Sequence, residues 1–170
     1  ASTFLTDVLK RVNRALGKGE DDFCRAAASS FLLSCDNAHA VHPNHPQKTD
    51  EGNCAYLNEG IVIKSHAGQK YTSDGISTAL FQEICRKAGV PVQYFANRSD
   101  MAGGSTLGNL AMAQMSMKAV DIGLPQLAMH SSYETSGIKD LVYLEQVSEI
   151  FFRTQLLEEA DGTIRMTIHE

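Results

Sequence analysis

The sequence predicts an α/β fold, with a mostly parallel sheet covered by helices on both faces. Three observations carry this expectation. Residues 31–35, 60–64, 92–96 and 119–123 are short, nearly continuous apolar runs, the pattern of strands buried on both sides. Residues 3–16, 80–88 and 138–151, around these runs, carry apolar residues at helical spacing. Strand and helix signals alternate along the chain, as they do in βαβ architectures.

In order, Phe4, Leu5, Val8, Leu9, Val12, Ala15 and Leu16 make residues 3–16 an amphipathic helix, which Gly17-Lys18-Gly19 ends. A short helix follows over 21–29. The strand at 31–35 then delivers Asp36. Residues 37–58 contain Pro43, Pro46, Gly52 and three histidines and read as one long loop, a length that is usually functional or disordered. A second strand ends in Lys64, and residues 70–72 are expected to add an edge. Leu80, Phe81, Ile84, Cys85 and Ala88 mark a helix stopped by Gly89-Val90-Pro91. After the strand at 92–96, residues 103–108 form a turn, with Ser105 or Thr106 capping a Met/Ala-rich helix that runs to about residue 117. The strand at 119–123 is followed by Leu127-Ala128-Met129, which leads into His130. Ile138, Leu141, Val142, Ile150 and Phe151 belong to a last long helix, and residues 154–170 read as a weakly patterned, partly disordered tail.

Composition narrows the function classes. The 170 residues suffice for one domain, with 43% apolar and 21% charged residues. The net charge is −5 and no Lys/Arg block stands out, so nothing points to nucleic acid or to an anionic membrane surface. No apolar run reaches membrane-spanning length, and the first residues lack a basic segment followed by an apolar one. Cys24, Cys35, Cys54 and Cys85 show no CxxC spacing and are expected to be free, mostly buried thiols in a reducing cytosol.

The stretch Ser34-Cys35-Asp36-Asn37-Ala38-His39-Ala40-Val41-His42-Pro43-Asn44-His45-Pro46 holds the chemistry. It sets a carboxylate and three imidazoles directly after a buried strand, and zinc takes oxygen and nitrogen ligands of these kinds. In parallel sheets ligands gather at the carboxyl ends of strands, and Asp36, Lys64, Asp100 and His130 all follow apolar runs. The bland alternatives are a turn-initiating Asp36, a solvated histidine loop, a tight connection at Gly103–Gly108 that lacks the lysine of a phosphate loop, and a surface Arg98–Asp100 pair.

Taken together and in order, SCDNAHAVHPN, GIVIK with the following YTS, RSDMAGGSTLG and DIGLPQLAMHSSYE resemble the C-terminal catalytic half of the aspartyl aminopeptidase family of cytosolic metallopeptidases, from about Phe4 to Phe152. The resemblance implies a zinc exopeptidase (phosphorylase/hydrolase-like) fold present as a partial domain, a site with two zinc ions, and removal of N-terminal, often acidic, residues from peptides. It implies metal ligands at Asp36 and His130 and substrate contacts at His39, Lys64 and Tyr71. It further implies a cytoplasmic homo-oligomer. The family's upstream histidine, bridging aspartate and adjacent glutamates, one of them the general base, have no counterpart here, and no histidine precedes Asp36. The expectation is therefore a C-terminal fragment, with catalytic-domain residues at 1–153 and a tail at 154–170. It would hold part of the metal set, no catalytic residue, and no activity of its own. The alternative is a non-catalytic regulatory or assembly module derived from such a half-domain.

Overall fold

The computed structural model describes residues 2–169, which run α1 (Phe4–Ala15), α2 (Glu20–Ala28), β1 (Phe31–Cys35), β2 (Ala38–His39), β3 (Ile61–Ser65), α3 (Gly75–Ala88), β4 (Val92–Ala96), α4 (Leu107–Met112), β5 (Lys118–Gly123), β6 (Pro125–Leu127), β7 (Thr135–Ser136), α5 (Ile138–Arg153), β8 (Thr154–Glu158) and β9 (Ile164–Ile168). The main sheet has the order β1-β5-β3-β4. β1 pairs parallel with β5 and β3 parallel with β4, but β3 and β5 at the centre run antiparallel. The sheet is thus parallel only in its two flanking pairs. Apolar runs report burial on both faces and carry no information on strand direction.

The two-residue period of the strands sorts the sheet into two faces. Ile61, Ile63, Val120 and Ile122 join Phe81, Ile84 and Val147 in the main core beneath α3 and α5. The alternate positions, Val62 and Lys64 on β3, Asp121 on β5 and Ser34 on β1, look the other way. There Val62 packs with Ala38, Ala55, Tyr71 and Phe95. α4 sits on this second face, where the Gly108 amide donates to Ser34 Oγ at 3.2 Å. Helices on both faces of the sheet are therefore present.

Beyond β1 the chain stays bonded to the β5–β6 segment. The Asp36, Ala38 and Ala40 amides donate to the Ile122, Leu124 and Gln126 carbonyls, each at 2.9 Å. This lays Asp36 directly over Gly123, where a Cβ would stand 2.0 Å from the Asp36 carbonyl oxygen.

Several expectations are corrected. The loop at 37–58 contains β2 and a 3₁₀ turn at Pro46–Lys48. Residues 70–72 form no edge strand, because the Thr72 amide bonds the Asp121 carboxylate instead of a neighbouring backbone. The α4 helix ends at Met112, and Thr106 at its N-cap makes no side-chain cap because its hydroxyl also goes to Asp121. The segment expected as a disordered tail is a hairpin of β8 and β9, paired from Thr154↔Ile168 to Glu158↔Ile164. Its turn uses Gly162 at φ +84°, and Met166 packs on the main core. Of the four free thiols only Cys85 is buried, and burial pushes it up to about 12; Cys24 and Cys35 are exposed. The apolar stripe of α1 is real, but no α1 residue is buried and Phe4 is 74% exposed. Among the described residues no helix is long and apolar enough to cross a membrane.

Candidate functional site

A cleft of about 490 Å³ opens on the second face of the sheet, and Asp36, His39, Lys64, Tyr71 and His130 all line it. Residues far apart in sequence meet here because β1, parallel to β5, ends beside the β5–β6 junction, while β3 reaches the cleft from the middle of the sheet. Lys64 is thus not at a shared carboxyl rim. The antiparallel register sets β3 against β5, and the long side chain reaches back toward Asp36.

Lys64 is 2% exposed. Its ammonium donates to the Asp36 carbonyl at 2.8 Å, lies 3.9 Å from Asp36 Oδ2, and stands 5.1 Å from the centre of the Tyr71 ring. Burial pulls its pKa down, opposed first by Asp36 and then by Asp121. The Asp36 carboxylate remains 55% exposed toward the cleft. Tyr71 is buried, its phenol oxygen accepts from Asn97 Nδ2 at 3.3 Å, and burial raises its pKa, so it stays a protonated donor. An added Cβ on Gly103 would meet Asn97 Nδ2 at 2.2 Å, so a larger residue there would turn this amide away from its present place.

His130 is exposed on a tight loop in which Ala128 and His130 both adopt positive φ, +54° and +67°. Such backbone conformations cost about 1 kcal/mol or more per non-glycine residue and cluster at functional sites. The His130 amide is held by Glu134 Oε1 at 2.5 Å. His39 lies at the rim with its ring 6.3 Å from that of Phe95. Desolvation pushes its pKa below the usual 6.5, with His130 and Lys64 adding to this and Asp36 opposing it. A histidine whose folded pKa is depressed stabilises the fold above its unfolded pKa and loses that contribution as pH falls through the window beneath it. Denaturant midpoints measured from about pH 7 to about pH 5 will therefore fall less steeply in His39→Gln than in the unaltered chain.

His42 and His45 face each other at the mouth, ring centres 5.3 Å apart. His42 Nδ1 accepts from the Asn44 amide, so its part in the loop is structural. Arg98 pairs with Asp100 at 2.6 Å and also donates to the Gln47 carbonyl, tying two rim loops together.

The profile of the family described as "Aminopeptidase I zinc metalloprotease (M18)" matches residues 1–152. The chain belongs to the M18 family. It is 48% identical over 151 residues to the probable M18 family aminopeptidase 2 of Clostridium acetobutylicum, covering 89% of this chain and 35% of that protein. It is 45% identical over 144 residues to the protein of the same name from Stutzerimonas stutzeri, covering 85% of this chain and 34% of the relative. The chain thus spans about a third of the length of the curated relatives it matches. Among solved structures, one from the cryo-EM complex of Ape4 and Nbr1 superposes with a TM-score of 0.83 at 40% identity, over 86% of this chain and 28% of that one. The S. cerevisiae mApe1 dodecamer gives 0.74 at 27% identity, over 88% of this chain and 33% of its own. These neighbours share the α/β architecture, of which the M18 chain described above is a part.

Against the zinc that the family description names, the donors fit in kind and fall short in number. Asp36 and His130 supply an oxygen and a nitrogen on one cleft. A catalytic zinc takes three protein ligands, and among the described residues no group of three or more His, Cys, Asp or Glu side chains is placed to hold a metal. The site also contains groups that sequence reasoning passed over. Asn97 braces Tyr71, and buried Gln126 accepts from Asn37 beside Asp36 at 2.6 Å. Asp121, fully buried behind Tyr71, had a legible signal as a lone carboxylate between Val120 and Ile122.

Proposed function

We propose that these residues form one wall of an aminopeptidase site that removes N-terminal, preferentially acidic, residues from peptides. The observation that carries this reading is the convergence of Asp36, His39, Lys64, Tyr71 and His130 on a single cleft. Asp36 and His130 would be metal ligands, and His39, Lys64 and Tyr71 substrate contacts. Remaining ligands and the general base would come from outside these 170 residues, in a full-length protein that assembles as a homo-oligomer in the cytoplasm. Two zinc ions, when bound, would activate a water and polarise the peptide carbonyl.

The chain's own groups suit the remaining tasks. Tyr71, kept protonated and held by Asn97, offers its O–H to the oxygen on which charge develops. Neutral His39 adds a second donor at the rim. Lys64 holds the Asp36 backbone and presents an ammonium as a point charge, a suitable partner for a carboxylate on the first side chain.

The test compares two proteins on an aspartyl amide substrate. The 170 residues alone will leave it uncleaved. A full-length natural protein that carries them will cleave it, and His130→Ala will remove that activity. Cleavage by the isolated chain, or full activity in the His130→Ala protein, would overturn the reading. The second reading is a non-catalytic regulatory or assembly module derived from such a half-domain. An inactive full-length protein would favour it.

A further inference from the structure

Asp121 and Asp140 are both fully buried carboxylates, and they differ in one respect. Asp140 has partners on both oxygens, the Asn58 amide at 2.6 Å and the Gly60 amide at 3.1 Å. Asp121 concentrates its bonds on one. Its Oδ2 accepts the Thr72 amide at 2.6 Å, the Thr72 hydroxyl at 2.9 Å and the Thr106 hydroxyl at 2.9 Å. Its Oδ1 is buried and has no hydrogen-bond partner among the described residues. A carboxylate oxygen left in this way is costly unless a charge nearby compensates it.

The register identifies that charge. β3 and β5 pair Val62 with Gly123 and Ile63 with Ile122, so the next step sets Lys64 opposite Asp121, on the face that lines the cleft. Lys64 is itself buried; Asp36 is its closest negative charge, 3.9 Å away, and Asp121 on the paired strand is the next. The Thr72 bonds also fix Tyr71, its chain neighbour, and the Thr106 bond fixes the end of the turn at 103–106. That turn is tied in addition to Lys70, whose ammonium donates to the Gly103 carbonyl at 2.8 Å. The Asp121 backbone is clamped as well, its amide donating to Ser73 Oγ at 3.0 Å.

We propose that Asp121 is the positioning residue of the substrate wall. Its carboxylate ties the Tyr71 segment and the turn at 103–106 to β5 and adds, after Asp36, a second negative charge near the buried Lys64 ammonium. Asp121 does not itself reach the cleft and touches no substrate. The assignment rests on the functional reading above for what the wall binds, and on geometry alone for what Asp121 holds.

The experiment therefore has two arms. In the 170-residue chain, amide hydrogen exchange is compared with and without Asp121→Asn. The Thr72 amide and the amides of 105–108 are expected to exchange at least about tenfold faster, because a bond to a charged acceptor is lost. The amides of Ile61 and Ile63 are expected to keep their rates. Equal acceleration at all these amides, or none at Thr72, would overturn the proposal, since a carboxylate that merely fills the core changes global stability alone. If Asp121→Asn does not fold, Thr106→Val decides, because it leaves the charge in place. Faster exchange confined to 105–108 supports the proposal, and an unaltered turn overturns it. In the full-length protein, Asp121→Asn is expected to raise KM for an aspartyl amide about tenfold, with a smaller change in kcat, and an unaltered KM overturns it. An inactive unaltered full-length protein defeats the functional reading, while the exchange arm still judges Asp121.

Discussion

Gly123→Ala will destabilise the chain by about 3 kcal/mol, the upper end of what overpacking costs, and will move the Asp36 carboxylate out of the cleft wall. The added Cβ would lie 2.0 Å from the Asp36 carbonyl oxygen, 2.8 Å from Asn37 Cα and 2.9 Å from the Ala38 amide nitrogen. All three are backbone atoms, so no side chain can swing aside to relieve the clash. The strand junction itself must lift, breaking the register that bonds the Asp36 and Ala38 amides to the Ile122 and Leu124 carbonyls. The displaced carbonyl is also the acceptor of the Lys64 ammonium, so the buried lysine loses a partner with it. Gly104→Ala is the matched control. Its Cβ meets nothing within 4 Å, and its stability will stay within about 0.5 kcal/mol of the unaltered chain. Urea denaturation of the two variants checks both values.

Asp140→Ala will cost about 3 kcal/mol, through one buried and one part-buried bond to a charged acceptor and the buried Gly60 donor left unpaired. The carboxylate is fully buried at the start of α5 and receives the Asn58 and Gly60 amides from the turn that launches β3. Asn58 in turn accepts the Lys139 amide at 3.0 Å, which closes the junction from the other side. The buried Gly60 amide has no ready route to water, because Gly60 holds a positive φ of +120° and packs against the Pro91 carbonyl. Asp140→Asn keeps the shape but presents an N–H to one of two donors, so it will recover only part of the loss. Because β3 carries Lys64, the same substitutions will loosen the substrate wall. Faster hydrogen exchange at Ile61 in both variants would register that coupling, and a stability change below about 0.5 kcal/mol for Asp140→Ala would refute the role.

Much of this fold was legible in the chain. β1 and β4 fall where their apolar runs end, α3 stops at Gly89 with φ +69°, and α1 follows its heptad-like spacing. What escaped was non-local. β2 is two residues in a polar, histidine-rich string, and it exists only because β6 lies alongside it. The edge expected at 70–72 and the cap expected from Thr106 both yielded to one buried acceptor, Asp121, whose place between Val120 and Ile122 marks it as buried but does not say which distant groups it binds. The hairpin at 154–168 did have a local sign, since Asp161-Gly162 is a hairpin turn signal and Ile164, Met166 and Ile168 alternate after it. At the site, the motifs that carry the family resemblance named Asp36, His39, Lys64, Tyr71 and His130, which line one cleft. They could not reveal that Lys64 spends one of its hydrogen bonds on the Asp36 backbone, because that contact depends on an antiparallel register.

The central claim is that Asp36 and His130 are two ligands of a metal site whose remaining ligands lie outside these residues. Equilibrium zinc binding to the 170-residue chain, measured by calorimetry beside Asp36→Ala and His130→Ala, tests it most directly. The account predicts weak binding by the unaltered chain and at least about tenfold weaker binding by each variant, since losing a ligand costs no less than losing a group that supports one. Equal zinc affinity in all three proteins would contradict it.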